Sequence, residues 1–394
     1  MIIPYGRQSI DDTDISAVVS ALKSDLLTQG PKVAEFEKSF AEYVQAKYAV
    51  AVSNGTAALH LCALALGVNT TTRVITTPIT FVASANCILY CGGSIELCDI
   101  NAGTGLMDII KLEEMLASKP VGYYKGIVAV DFAGYPIDLE KMKALAEKYL
   151  CWIIEDACHS PGAYFTDSVG NKQLCGNGVF ADLAVFSFHP VKHIATGEGG
   201  MITTNDENLY KKLLSLRTHG ITRDPEMMTT SEGGWYYQML ELGYNYRIPD
   251  MLCALGITQL SKAAAGIKRR LAIAERYDEA FGGNEHITQL TPNGTNDLLK
   301  QGTLHAHHLY VIKVADRKGL YNHLRSNGVY AQIHYIPIHT MPFYRNSGFT
   351  DIVMPEAEAY YTGCISLPMF PALTDDEQEY VISKVVEFVE NGHR

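Results

Sequence analysis

The chain has 394 residues, 47% of them hydrophobic and 19% charged, which suits a large buried core in two domains and excludes a disordered protein. Its 32 basic and 43 acidic side chains leave a formal charge of −11. That balance argues against a general nucleic-acid-binding surface and leaves any anionic ligand to a local pocket.

The first residues, Met1-Ile2-Ile3-Pro4-Tyr5-Gly6-Arg7, lack a basic segment followed by an apolar one. No run of about eighteen apolar residues occurs, so a soluble cytoplasmic protein without a membrane partner is expected. The nine cysteines are an odd number and include no C-x-x-C pair, which speaks against a disulfide framework and a structural zinc site.

Along the chain, Pro31 opens a helix with Val33, Phe36, Phe40 and Val44 on one face. Short β-type runs then alternate with helical patterns: Tyr48–Val52, Val74–Thr77, Ile95–Cys98, Gly126–Asp131, Trp152–Glu155, Leu183–Phe188 and Gly200–Thr204. Seven such runs predict an α/β layer sandwich around one mainly parallel seven-stranded sheet. A long helix is expected from Asp250 to Phe281, then a loop, a strand at Leu309–Val314, a helix at Gly319–Asn327, a strand at Tyr330–Tyr335 and a final helix from Asp375. The expected division is residues 1–248 as an N-terminal arm and large domain, and 249–394 as a linking helix and smaller α+β domain.

Three segments carry chemistry. Ser53-Asn54-Gly55-Thr56-Ala57-Ala58-Leu59 joins a strand to a helix, where free N–H groups, Gly55 and the Thr56 hydroxyl make a phosphate seat; an ordinary N-cap reads the same way. Trp152–His159 delivers Glu155, Asp156 and His159 at a strand's carboxyl end, where open α/β sheets bind ligands. A solvated strand end is the competing reading, and Asp156 with His159 supplies too few ligands for a metal. Leu183–Lys192 ends a buried aromatic strand on a lysine, and burial eases deprotonation of the kind a Schiff-base nucleophile needs. Taken together, phosphate seat, acid and lysine stand on one sheet in the order that a pyridoxal 5′-phosphate (PLP) enzyme requires. The glycines of Thr196–Gly200 form no complete dinucleotide fingerprint and read as a tight turn. His305, His307 and His308 are read as structural.

These segments, with Leu27-Thr28-Gln29-Gly30-Pro31, Thr77–Ala83, Gly197–Met201 and Gly243-Tyr244-Asn245-Tyr246-Arg247, resemble the sugar-aminotransferase family of PLP fold-type I enzymes over nearly the whole chain. The resemblance implies a Schiff base between PLP and Lys192, which also shuttles a proton, and an Asp156 that keeps the pyridine nitrogen protonated. It implies that Gly55, Thr56 and Ser187 hold the phosphate, that Phe81 stacks on the ring and that His159 lies near the phenolic oxygen. Asn245 would reach the phosphate from a neighbouring subunit, making a homodimer with shared active sites. Within the family, Tyr236–Arg247 and Thr218-His219-Gly220-Ile221 are most similar to the pseudaminic-acid-pathway members. Those move an amino group from L-glutamate to C4 of a UDP-linked 2-acetamido-2,6-dideoxy-4-keto hexose. Thr28, Gln29, His334 and Tyr335 are the candidate sugar or nucleotide contacts, with core packing the alternative for the last two. Glu232-Gly233-Gly234-Trp235 departs from the family pattern in the substrate-facing loop. Rival expectations are another keto sugar, UDP-linked in the D configuration or dTDP-linked, a cyclitol ketone, or a non-catalytic PLP-binding regulator.

Overall fold

The computed structural model describes residues 2–290 and 294–391. Seven strands make the large sheet: β1 (Tyr48–Val52), β2 (Arg73–Thr76), β3 (Ser94–Leu97), β4 (Gly126–Val130), β5 (Trp152–Asp156), β6 (Leu183–Ser187) and β7 (Gly200–Thr204). Their spatial order is β1-β7-β6-β5-β4-β2-β3, and β7 runs antiparallel to both of its neighbours while the other pairings are parallel. All seven strands expected of this sheet are present, with ends displaced by no more than a residue.

Both faces of this sheet are covered, which is why its strands are apolar at successive positions rather than alternate ones. On one face Val128, Ile154 and Val185 pack under α3 (Gly55–Ala65), α4 (Ala83–Tyr90) and α7 (Glu207–Arg217). On the other, Ile127, Ala129 and Ile153 meet α5 (Ile109–Ala117) and α6 (Leu139–Tyr149). Helices α2 (Pro31–Val44) and α8 (Asp250–Ser261) cover the β1, β6 and β7 end through Phe36 and Phe40. The period of two then places Asp156 with Ile154, and Ser187 with Val185, on the face beneath α3 and α4.

The C-terminal part differs from expectation in three places. The long helix is broken at Lys262 into α8 and α9 (Ala263–Phe281). The loop after it contains a helix, Gly294–Lys300, and a short strand, β8 (Thr288–Gln289), that pairs with β9 (Tyr310–Lys313). The expected strand at 330–335 shrinks to Val329–Tyr330, which pairs in parallel with Ile3–Pro4 of the N-terminal arm. The following residues make one bridge, Gln332 to Ser366 of β10 (Cys364–Leu367), and otherwise serve the cavity described below. Alternating apolar residues there reflect burial, which periodicity alone cannot separate from sheet pairing. A second core gathers Ile273, Tyr277, Ile312, Ile365 and Val385, and Ile3 belongs to it.

On β5 the carboxylate neighbouring Asp156 has another role. Glu155 points to the opposite face, fully buried, where it hydrogen-bonds Asp131 and the Gly176 N–H. Asp131, Glu155 and Cys175 place ligand-type atoms within 4.8 Å of one another, but the carboxylates are committed. Asp131 accepts from Ser160 Oγ at 2.6 Å and the Ile137 N–H at 2.9 Å. Burial and the Asp131 charge hold the Glu155 carboxyl well above its usual range, so the pair shares one proton, on Glu155. A carboxyl raised in the folded state stabilises fully below its unfolded value and loses that contribution as pH rises through the folded one. Gln at 155 carries the bonding without the titration. The thermal midpoint of Glu155→Gln relative to wild type therefore climbs as pH rises above the ordinary carboxylate range of about 4.3, as followed by circular dichroism; a constant difference would contradict the shared proton.

Candidate active site

The carboxyl ends of β5 and β6 open into a cavity of about 720 Å³. Its wall includes Gly55, Thr56, Phe81, Asp156, His159, Ser187, Lys192, His334 and Tyr335, so nine of the residues singled out from sequence converge in one place.

The seat at the start of α3 follows from its cap. Asn54 is extended and its side chain accepts from the Ala57 N–H at 2.8 Å, while its carbonyl takes the Ala58 N–H. Of the four N–H groups a helix start leaves without intrahelical partners, those of Gly55 and Thr56 remain for an anion. A Cβ on Gly55 would lie 3.0 Å from Ser187 Cβ, so glycine is what lets α3 close onto β6 and keep the Ser187 hydroxyl beside the seat.

Asp156 is buried and held from two sides. Ser84 Oγ of α4 donates to one oxygen at 2.6 Å, with Thr80 Oγ1 2.8 Å behind it, and the Cys158 N–H donates to the other at 3.2 Å. His159 uses both ring nitrogens: Nδ1 accepts from the Ala133 N–H at 3.2 Å, and Nε2 lies 3.2 Å from the Tyr335 hydroxyl. Burial and the nearby Lys192 charge hold the imidazole well below its ordinary range, and burial pushes the Tyr335 phenol up, so both are neutral. His334 Nδ1 lies 2.9 Å from Ser366 Oγ, and burial pulls its imidazole down to about 3.

Lys192 follows β6 after a short turn and is half-buried on the cavity wall. Burial lowers its amine to about 8, against opposing pulls from Cys158 and Asp156. At neutral pH a usable fraction is therefore unprotonated, which a water-exposed lysine does not offer.

Three candidates lie elsewhere. Thr28 and Gln29 are exposed in the loop leading to α2, where Asp250 fixes the chain by accepting from the Gly30 and Lys32 N–H groups. Asn245 is exposed as well; its neighbour Tyr246 accepts the Ser53 N–H through its carbonyl and turns its ring to the cavity, which ties this segment to the α3 seat. The histidine run needs correcting. His305 and His307 stack at 3.9 Å, as a structural role implies, but His308 turns into the cavity with Nε2 3.4 Å from Lys192 Nζ. The backbone turns at His307, whose φ is +47°, and this sends the His308 side chain away from its two neighbours in the run. Ser84 was also missed, although its place four residues after Thr80, on a helix facing β5, was a usable signal.

These residues fit PLP. The α3 start offers open N–H groups with a hydroxyl on either side, Asp156 is an anchored carboxylate, and Lys192 is an amine made nucleophilic by burial. Phe81 stands exposed at the rim, its ring 6.4 Å from that of Tyr335.

Comparison with known proteins agrees. The profile of the DegT/DnrJ/EryC1/StrS aminotransferase family matches residues 8–386. The chain is 35% identical to the UDP-4-amino-4,6-dideoxy-N-acetyl-beta-L-altrosamine transaminase of Campylobacter jejuni, covering 100% of both chains. It is also 35% identical to the spore coat polysaccharide biosynthesis protein SpsC of Bacillus subtilis, covering 99% of this chain and 98% of that one. The structure of Helicobacter pylori PseC, an aminotransferase involved in the biosynthesis of pseudoaminic acid, superposes with a TM-score of 0.88 at 30% identity, over 99% of this chain and 100% of the other.

Two substitutions test the site. Lys192→Ala lowers turnover by at least about 100-fold, since a proton carrier is lost together with the nucleophile; retained steady turnover would refute its role. Gly55→Ala weakens PLP binding by about tenfold in a fluorescence titration, because the added methyl forces α3 away from Ser187. Unchanged affinity would remove the seat from this helix start.

Proposed function

The chain belongs to the DegT/DnrJ/EryC1/StrS aminotransferase family of PLP-dependent sugar aminotransferases, and from that premise we propose that it moves an amino group from L-glutamate to C4 of a UDP-linked 2-acetamido-2,6-dideoxy-4-keto hexose. The support for the substrate is the full-length similarity to a transaminase named for that product and to PseC.

When bound, PLP supplies a ring that accepts electrons from the carbon bearing the transferred nitrogen. The chain's own groups do the rest. Lys192 Nζ provides the amine that anchors the cofactor and, once displaced, takes the proton from the donor's α-carbon and later delivers one to C4 of the sugar. Asp156, fixed as an acceptor by Ser84 and the Cys158 N–H, holds a proton at the ring nitrogen. Gly55, Thr56 and Ser187 hold the phosphate, and Phe81 covers a ring face. The neutral His159–Tyr335 pair would give the cofactor's phenolic oxygen a hydrogen-bond partner that brings no charge. His334 and Tyr335 form the wall toward the sugar.

The same reading makes the working unit a homodimer in the cytoplasm. Asn245 is exposed and does not line its own cavity, so in this proposal it serves a second copy. Trp235, Tyr237, Met239 and Leu242, on the arm that carries it, are exposed apolar side chains that a second subunit would cover. No helix among the described residues is long and apolar enough to cross a membrane.

The substrate is tested by loading the enzyme with amino groups from glutamate, removing the glutamate, and adding nucleotide keto sugars singly while the visible spectrum is followed. Return of the starting absorbance with the UDP-linked L-configured 4-keto sugar, at a rate at least about tenfold above its D-configured and dTDP-linked counterparts, is expected. Preferential return with another sugar would overturn the substrate and leave the transamination.

A further inference from the structure

One group at the cavity has no part in the chemistry above. His308 is buried and reaches Lys192 across the site, and the chain invests several contacts in putting it there. The buried Arg270 of α9 donates through Nη1 to the carbonyls of His307 at 3.0 Å and His308 at 3.4 Å. The Ala306 N–H donates to the Gly134 carbonyl at 2.8 Å, and His193 Nε2, next to Lys192 in sequence, lies 2.9 Å from the Ala306 carbonyl. Gly134, at φ +99°, leaves room for this approach, since a Cβ there would stand 3.1 Å from both the His307 and His308 nitrogens. The His308 ring leans on that of His159, centroids 4.3 Å apart. Its Nε2 is 3.4 Å from Lys192 Nζ, and among the described residues its Nδ1 has no hydrogen-bond partner, so the lysine supplies what hydrogen bonding the imidazole has.

We propose that His308 is a positioning residue for Lys192: its neutral imidazole accepts a hydrogen bond from the displaced amine and parks it on the cavity wall, between its release from the cofactor and its return. Other groups are committed elsewhere or repel. His159 uses both nitrogens, and Asp156 is bonded to Ser84 and to the Cys158 N–H. Arg270 disfavours added positive charge at Lys192, while Cys158 and Asp156 favour it. Burial keeps His308 far below its ordinary protonation range, so it meets the amine as an acceptor. This deepens the proposed Schiff-base role of Lys192 and rests on it.

The test reads the amine directly, with no substrate, so its failure is distinct from a failure of the proposed reaction. Full-length protein freed of cofactor is carbamylated with cyanate from pH 6 to 10, and modification at Lys192 is quantified by peptide mass spectrometry against exposed lysines in the same sample. A neutral acceptor favours the ammonium form, so His308→Leu moves the half-modification point of Lys192 down by about one unit, roughly tenfold in free amine below it. His308→Gln, whose side-chain carbonyl can accept, stays near wild type. No displacement in His308→Leu, or an upward one, overturns the proposal. Should the leucine variant not fold, nitrogen-15 spectra of wild-type histidines decide: the His308 signal steps with Lys192 titration and the step vanishes in Lys192→Met, whereas its persistence overturns the proposal.

Discussion

An amine taken out of water beyond the end of β6 is the constraint on which the rest of the structure depends. Lys192 left in solvent would be charged and inert at neutral pH; burial lowers it to about 8 while Asp156 and Cys158 nearby pull the other way. That balance requires dry walls and fixed carboxylates, and the large sheet provides both. Its parallel strands aim their carboxyl ends at one cavity, and the antiparallel β7 fills the position between β1 and β6 so that the α3 start and the β6 end lie side by side.

The neighbouring carboxylates on β5 show how finely the sheet separates roles. Asp156 and Glu155 are adjacent, yet the pleat sends one to the cavity and the other into the core. Asp156 is bonded to donors and stays available to the site. Glu155 meets a second carboxyl and is neutralised by the shared proton. One residue of register would exchange them and destroy both arrangements.

What the sequence revealed follows from the range of each interaction. The seven strands were legible because each is a short apolar run between turn residues. Lys192, Asp156 and Gly55 were legible because their places depend on the local step from strand to loop or loop to helix. His308 was not, since its orientation depends on Gly134, His193 and Arg270, the first of them more than 170 positions away in the chain. The stretch 330–335 misled for a related reason: its apolar alternation is real, but it lines a cavity where a sheet was expected. Thr28, Gln29 and Asn245 face solvent in the single chain, and a sequence motif does not say which subunit a residue serves.

The central claim is that Lys192, of the 20 lysines in the chain, is the one that bonds the cofactor. Reduction of the PLP-loaded protein with borohydride, digestion and mass spectrometry locate that bond directly. The account predicts the phosphopyridoxyl mass on the peptide containing Lys192; its appearance on another lysine, with Lys192 unmodified, would contradict it.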